Sequence, residues 1–557
     1  MRLSQTADLW WKNAVVYCLD VETFLDGNGD GRGDFRGLAQ RVDYLNELGV
    51  TCIWLMPFYP TPDRDDGYDI VDFYGVDRRL GTHGDLVEFL SIARDRGIRV
   101  IADLVVNHTS NQHPWFQSAR SSRSSPYRDW YVWRDQPPAD GPKGITFPDQ
   151  EKSLWQYDEE AGQYYLHRFY KYQPDLDVAN PAVRDEIARV MGFWLELGLS
   201  GFRVDAVPFL LETAGSLDAK DLPDPHGYLR DLRAFLSRRN GRAVLLGEVN
   251  LPYPDTRRFF GQDDGDELTM CFDFILMQRL HLALARRRGA PLAEALRARP
   301  NSPKDTQWAV FVRNHDELTL DKLDDSERQE VFDAFGPEPA MQLYGRGLRR
   351  RLPTMLGGDA DRIRMAYSLL FSMPGTPTLF YGEEIGMGEN LRIEGRSSVR
   401  TPMQWSGGPN GGFSSADPER LAAPVVEGDF GPVAVNVIDQ RRDPRSLLSW
   451  MTLLIQRYRQ CPELAWGRCT VLEHDAPGVF AHRSDYDGGT VVAAHNLDEQ
   501  PVEVTLRLEG VAPGTGVVDL LGDGTTALEE GGALRLRLDR YGYRWLRVGQ
   551  PGEGALA

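Results

Sequence analysis

Cysteine is scarce in this chain: five residues in 557, at positions 18, 52, 271, 461 and 469. An odd, scattered set excludes a disulfide framework and a four-cysteine zinc site, and Cys18, Cys52 and Cys271 sit in apolar runs. They read as buried thiols in a reducing compartment. No run of about 18 apolar residues occurs, so no membrane-spanning helix is expected. The segment Met1–Lys12 shows no apolar stretch followed by a small-residue cleavage site, which makes the cytoplasm the expected location. Positive charge is in deficit as well: 63 Lys and Arg against 82 Asp and Glu, a formal net charge of −19 and a pI near 5.1. Such a surface repels phosphate backbones and anionic lipid, so neither nucleic acid nor a membrane is an expected partner. There is no internal repeat and no low-complexity linker.

What is present is a long alternation of short apolar runs and helical patterns. The candidate strands are Val15–Leu19, Cys52–Leu55, Val100–Val106, Gly201–Val204, Val244–Leu246, Cys271–Phe274, Trp308–Val312 and Thr378–Tyr381. Between the second and third, Leu86, Phe89, Leu90 and Ala93 recur at helical spacing. Strands alternating with helices predict parallel pairing, and eight of them predict an α/β fold of the closed (β/α)8 TIM-barrel type. The stretch between Asn107 and Asp177 is too long for a structureless loop and is expected to be an inserted subdomain after the third strand. Beyond Arg468 the pattern changes to short alternating runs: Cys469–Leu472, Gly478–Arg483, Thr490–Asn496, Val502–Leu508, Leu534–Leu538 and Tyr543–Val548. These predict a C-terminal all-β sandwich. The expected domains are barrel at 1–106 and 178–465, inserted subdomain at 107–177, sandwich at 466–548 and a flexible tail at 549–557.

Chemistry in such a barrel sits at the C-terminal ends of the strands. The third run closes on Asn107-His108, the fourth on Arg203-Val204-Asp205, the fifth on Glu248, and the seventh on Asn314-His315-Asp316. Taken singly, each has a plainer explanation. A strand-end Asp commonly caps the next helix, a His commonly satisfies a buried hydrogen bond, and an Arg two residues before an Asp can serve simply to neutralise it. Taken together, they place several charged groups on one face, which independent caps do not require.

Three carboxylates beside an arginine suit glycoside cleavage, whose oxocarbenium-like transition state needs negative charge. A retaining enzyme uses a nucleophile and an acid/base about 5–5.5 Å apart. Arg203, on the same strand face as Asp205, would keep Asp205 ionised. Glu248 follows Leu245-Leu246-Gly247, an apolar setting that would keep it protonated. His108 and His315 would hydrogen-bond sugar hydroxyls.

These segments resemble the conserved regions of glycoside hydrolase family 13, the α-amylase family, over nearly the whole chain. The resemblance implies Asp205 as nucleophile, Glu248 as acid/base and Asp316 as transition-state stabiliser, with Arg203, His108 and His315 as subsite partners. It also implies that Tyr68 and Asp69, in Asp66-Gly67-Tyr68-Asp69, close over a terminal glucose, and that Arg400, in Val399-Arg400-Thr401-Pro402-Met403-Gln404-Trp405, binds it. Within the family, the segments Asn107–Phe116, Tyr165–Phe169, Gln173–Leu176 and Arg313–Thr319 are similar to the branch that interconverts maltose and trehalose. The expected reaction is therefore intramolecular transglucosylation on a small α-glucoside, with some hydrolysis. An exo-acting α-glucosidase or a transglucosylase is the alternative, and a non-catalytic family member is the alternative of another class. Three stretches depart from that branch: Val21-Glu22-Thr23-Phe24, Cys271-Phe272-Asp273-Phe274 and Arg396-Ser397-Ser398. Related enzymes often dimerise, so a homodimer is compatible with the resemblance.

No organic cofactor is expected. Asp26, Asn28, Asp30 and Asp34, spaced by glycines, offer hard oxygen ligands for Ca2+ or Mg2+, although a glycine-rich turn would read the same way. It is not an EF-hand, because Gly37 stands where the bidentate Glu would be. The family resemblance implies a structural Ca2+ or Mg2+ at this loop. It implies a second calcium site on Asn107, Asp175 and Glu212 with the carbonyls of Phe209 and Leu210.

Overall fold

The computed structural model describes residues 9–137, 144–147, 149–210, 224, 226–262 and 265–549. Each apolar run forms a strand with almost every side chain buried, as expected where helices cover the outer face of a parallel barrel and facing strands fill its interior. In chain order, β1 (Val16–Leu19), β2 (Cys52–Leu55) and β3 (Arg99–Leu104) are parallel neighbours. The inserted segment holds a small antiparallel sheet of β4 (Trp133–Arg134), β5 (Trp155–Asp158) and β6 (Gln163–Leu166). The parallel sheet resumes with β7 (Gly201–Val204), β8 (Val244–Gly247), β9 (Met270–Phe272) and β10 (Gln307–Phe311). Three two-residue strands then form a second small sheet: β11 (Leu318–Thr319), β12 (Gln342–Leu343) and β13 (Gly347–Leu348). Finally β14 (Thr376–Phe380) pairs with both β10 and β1 and closes the barrel in the order β1-β14-β10-β9-β8-β7-β3-β2.

Local chemistry fixes the helices between the strands. His83–Asp95 starts on a capping box, in which Thr82 and Asp85 each accept from the other's backbone. Pro181–Leu197 starts with Asn180 as cap and a proline in its first turn, and stops at Gly198, whose φ is 119°. At the start of β7, Gly201 has φ 142°, and a Cβ there would stand 2.3 Å from the Val244 carbonyl oxygen. Only glycine lets β7 come that close to β8.

The C-terminal region is two layers of antiparallel strands. Its strands are β15 (Arg468–Val471), β16 (Val479–Tyr486), β17 (Gly489–Asn496), β18 (Val502–Arg507), β19 (Gly516–Asp519), β20 (Thr525–Ala527), β21 (Ala533–Leu538) and β22 (Tyr543–Val548). Six form a sheet in the order β15-β16-β17-β22-β19-β20, and β18 pairs with β21. Alternation divides the large sheet between two cores: Val491, Ala493 and Trp545 join the barrel core, while Val492, Ala494 and Leu546 pack with Val504, Leu506 and Leu534. The barrel helix Ala360–Ser372 meets this sheet through polar contacts, with Ser368 Oγ 2.9 Å from His495 Nε2 and Ser372 Oγ 3.4 Å from His482 Nε2.

All five cysteines are free thiols, four of them buried. Among the described residues, no helix is long and apolar enough to cross a membrane.

Candidate active site

The β-ladder itself assembles the charged centre. Asp103 on β3 is in register with Arg203 on β7, and Arg203 with Leu246 on β8, two residues before Glu248. Arg203 is fully buried and donates to three carboxylates: Asp103, Asp205 Oδ1 at 2.6 Å and Glu248 Oε2 at 2.8 Å. Trp54 Nε1 holds the other side of Asp103 at 2.8 Å. A single guanidinium thus stands Asp205 and Glu248 side by side, with Glu248 Oε2 also accepting from the Ala206 amide at 3.1 Å.

Asp316 completes the group from the loop after β10. Its Oδ1 accepts from Arg396 at 2.7 Å and from Arg400 at 3.2 Å, and its Oδ2 lies 3.2 Å from His315 Nε2. The same nitrogen of His315 meets the Tyr68 hydroxyl at 2.6 Å, with the two rings parallel. His108 reaches the Tyr68 carbonyl at 3.1 Å.

Burial and charge separate the three acids. Burial pushes Asp205 up, Arg203 pulls it down, and the balance is about 6. Burial pushes Glu248 further, and with Arg203 opposing and Asp205 and Asp316 adding repulsion it reaches about 7. Burial would also raise Asp316, but His315, Arg396, Arg400 and Arg203 outweigh it and hold this carboxyl well below the usual range. Burial lowers both histidines, His108 to about 4 and His315 further, with Asp316 opposing the shift at His315. Near neutrality the site therefore holds an ionised Asp316, an Asp205 mostly ionised and a Glu248 poised to give or take a proton.

Above these groups lies a cavity of about 400 Å3, lined by Asp205, Glu248, Asp316, Tyr68 and His108 among others. That volume is at the small end for ligand pockets and suits a short sugar. Its walls come from three loops. The inserted segment supplies Ile145, Thr146, Phe147 and Phe169; the turn between β12 and β13 supplies Arg346; the loop after β14 supplies Arg396. Phe147 stacks on Tyr170 at 4.6 Å, meets Tyr344 at 5.2 Å and covers the Arg396 guanidinium at 5.0 Å.

Two expected sugar-binding residues are placed differently. Asp69 does not line the cavity; its side chain is fully buried among Thr61 Oγ1 at 2.8 Å and the Arg64 backbone and guanidinium at 3.2 and 3.3 Å. Arg400 lies behind Asp316 and likewise does not line it. The residues that do face the sugar space there are Asp65 and Arg396, which pair at 2.7 Å. The sequence marked Arg396 only as part of a departing stretch and Asp65 not at all. Their signal is an acid three residues before Tyr68 and an arginine four before Arg400, which becomes meaningful only once the two loops are known to meet.

The expected metal ligands divide. Both oxygens of Asp26 accept from loop amides and from Ser414, Asn28 and Asp30 accept amides two residues on, and Asp34 caps the helix Phe35–Ala39. Asp34 feels the charges of Asp26 and Asp30, and elsewhere among the described residues Glu22, Asp63 and Asp66 bring three carboxylate oxygens within 4.8 Å of one another. Asn107 and Asp175 do meet, at 3.2 Å, and Asn107 Oδ1 and Asp175 Oδ2 are buried without a hydrogen bond, although the Arg168 guanidinium is 3.4 Å from the latter. Phe209 lies beside Arg168 and Leu210 is buried nearby, while Glu212 lies outside the described residues.

Comparison with known proteins places this arrangement. The family model for the α-amylase catalytic domain matches residues 20–330 and 348–467, and that for the sucrose hydrolase-like C-terminal domain matches 488–547. The chain is 40% identical over 557 residues to a trehalose synthase of Pimelobacter sp., covering 97% of this chain and 96% of that one. It is 41% identical to the trehalose synthase/amylase of Mycolicibacterium smegmatis, covering 97% and 93%. Among solved structures, the trehalulose synthase of Pseudomonas mesoacidophila superposes with a TM-score of 0.74 at 28% identity, covering 97% and 99%.

Proposed function

Because this chain belongs to the α-amylase catalytic-domain family, we propose that it interconverts maltose and trehalose through a covalent glucosyl-enzyme. It is an α-glucoside-active enzyme of that family, and its nearly full-length likeness to trehalose synthases favours the isomerase. The observation that carries the reading is the single Arg203 guanidinium bound to both Asp205 and Glu248 beneath a small roofed cavity. Carboxylates gripped in this way suit the close separation of retaining enzymes, about 5–5.5 Å, rather than the about 6.5–9.5 Å of inverting ones.

In the first step Asp205 attacks the anomeric carbon of the non-reducing glucose, the glycosidic bond breaks, and Glu248 gives its proton to the departing oxygen. Asp316, held ionised by two arginines, opposes the positive charge that develops on the ring. The free glucose turns within the cavity. Its anomeric hydroxyl then attacks the glucosyl carbon, Glu248 takes back the proton, and the bond to Asp205 breaks. Two inversions leave the α configuration. Water in place of the second glucose gives hydrolysis by the same groups, so exclusion of water decides the product.

Asn107 and Asp175 would hold a structural Ca2+: the buried Asn107 Oδ1 has no hydrogen bond and Asp175 Oδ2 has only the Arg168 ion pair at 3.4 Å, and both are oxygens such an ion takes. Bound there it would tie the inserted segment to the end of β3 and leave the chemistry to the protein.

The test is incubation with maltose and with trehalose, following products by NMR. Each sugar yielding the other supports the isomerase, and glucose alone supports an α-glucosidase. Asp205→Asn should lower turnover by about four orders of magnitude; near-normal turnover would overturn the assignment of the nucleophile.

A further inference from the structure

Two consecutive aspartates hold two arginines that converge on one oxygen. Arg396 donates to Asp65 Oδ1 and to Asp316 Oδ1, both at 2.7 Å. Arg400 donates to Asp66 Oδ2 at 2.5 Å, to Asp316 Oδ1 at 3.2 Å and, through Nε, to the His315 carbonyl at 2.9 Å. The two clamps differ in place: Asp65 and Arg396 face the cavity, whereas Asp66 and Arg400 do not. Asp66 has φ 51°, a left-handed conformation that costs a non-glycine residue energy and collects at functional sites. Arg400 is 3% exposed, so its charge must be balanced where it lies. Arg32 and Arg79 engage the neighbouring Glu22 and Asp63, which leaves Asp66 to Arg400 among the described residues.

We propose that Asp66 is a positioning residue that draws the Arg400 guanidinium toward itself and limits its hold on Asp316 to one longer contact. The inference rests on the role assigned above to Asp316. Arg400 divides its charge between two carboxylates, and the shorter contact is the one to Asp66. Without Asp66 the buried guanidinium has Asp316 as its remaining carboxylate and closes on it. An Asp316 locked between two full ion pairs offers less negative charge to the glucosyl cation and fewer lone pairs to its hydroxyls. The loss falls on the transition state, and therefore on kcat rather than KM.

Glycine adopts φ 51° without strain, so Asp66→Gly separates the backbone from the carboxylate. The expected result is a folded variant that melts below the parent, because a buried ion pair is lost, with kcat down about tenfold to a hundredfold and KM changed less than about threefold. Asp66→Asn keeps an acceptor and should recover part of the loss. Removing the unbalanced cation as well, in Asp66→Gly with Arg400→Met, should raise kcat above that of Asp66→Gly alone. Asp66→Gly with parental kcat overturns the proposal, and so does a double variant no faster than the single one. If Asp66→Gly does not fold, the Asp66→Asn variant decides: parental kcat and parental pH dependence overturn the proposal. Full activity in Asp316→Asn would instead overturn the role of Asp316 itself, a failure distinguishable from that of Asp66.

Discussion

The Arg346 guanidinium donates to the Thr146 carbonyl at 2.9 Å, joining two segments 200 residues apart at the wall of the cavity. The same guanidinium reaches Glu317 at 3.3 Å, next to Asp316, and Phe147 packs against Tyr344 beside it. Together these contacts roof the space in which a freed glucose would have to turn.

Loosening that roof should change the product before it changes the rate. For Phe147→Ala and Arg346→Ala, glucose should rise several-fold relative to trehalose when maltose is consumed, while consumption stays within about tenfold of the parent. Product ratios by NMR check this, and an unchanged ratio in both variants would remove the roof from the account.

The acids set the pH range. Asp205 must be ionised, and it sits near 6; Glu248 must be protonated, and it sits near 7. A plot of kcat/KM against pH should therefore be bell-shaped, rising through about 6 and falling through about 7. Asp316 repels both groups, so in Asp316→Asn the residual activity should show both limbs at lower pH.

The barrel was legible because its strands are buried on both faces and read as unbroken apolar runs, with boundaries within about three residues of those found. The short strands were not. Thr525–Ala527 is wholly exposed and β11–β13 have two residues each, so no hydrophobic period marks them. Asp205 and Glu248 stood out because each directly follows a strand, and Asp316 because it lies in the short loop after β10. Arg396 did not, because its meaning comes from Asp65, 331 residues earlier, and loop-to-loop pairing leaves no local pattern. Asp69 is the opposite case: it neighbours Tyr68 in sequence, but the turn at Arg64 engages its side chain.

Metal should affect stability rather than chemistry. A chelator should lower Tm by several degrees, added Ca2+ should restore it, and Asp175→Asn should abolish the difference. Burial raises the Asp175 carboxyl to about 7, so metal binding there should also release a proton and weaken below neutrality. A Tm indifferent to chelator would leave Asp175 to its contacts with Asn107 and Arg168 alone.

Acid should weaken the seam between barrel and C-terminal sheet. Burial holds His482 near 4 and His495 near 3, below the unfolded value of 6.5, so the stability each lends is complete above 6.5 and is lost as pH falls through 4 and 3. For His482 alone the loss amounts to about 3 kcal/mol. Denaturant unfolding from pH 7 to 4 should show His482→Gln less acid-sensitive than the parent. Equal slopes would mean that the seam does not report these histidines.

The cavity has one more consequence, for how the chain comes to be active. Asp65, Phe147, Asp316, Arg346 and Arg396 are contributed by the second, third, seventh and eighth strand-to-helix connections, and none completes the site without the others. Contacts of such sequence separation form late in folding. Arg396 follows β14, so its pairs with Asp65 and Asp316 need the eighth strand in place, and the full cavity belongs to the closed ring rather than to the β3-β7-β8 ladder alone.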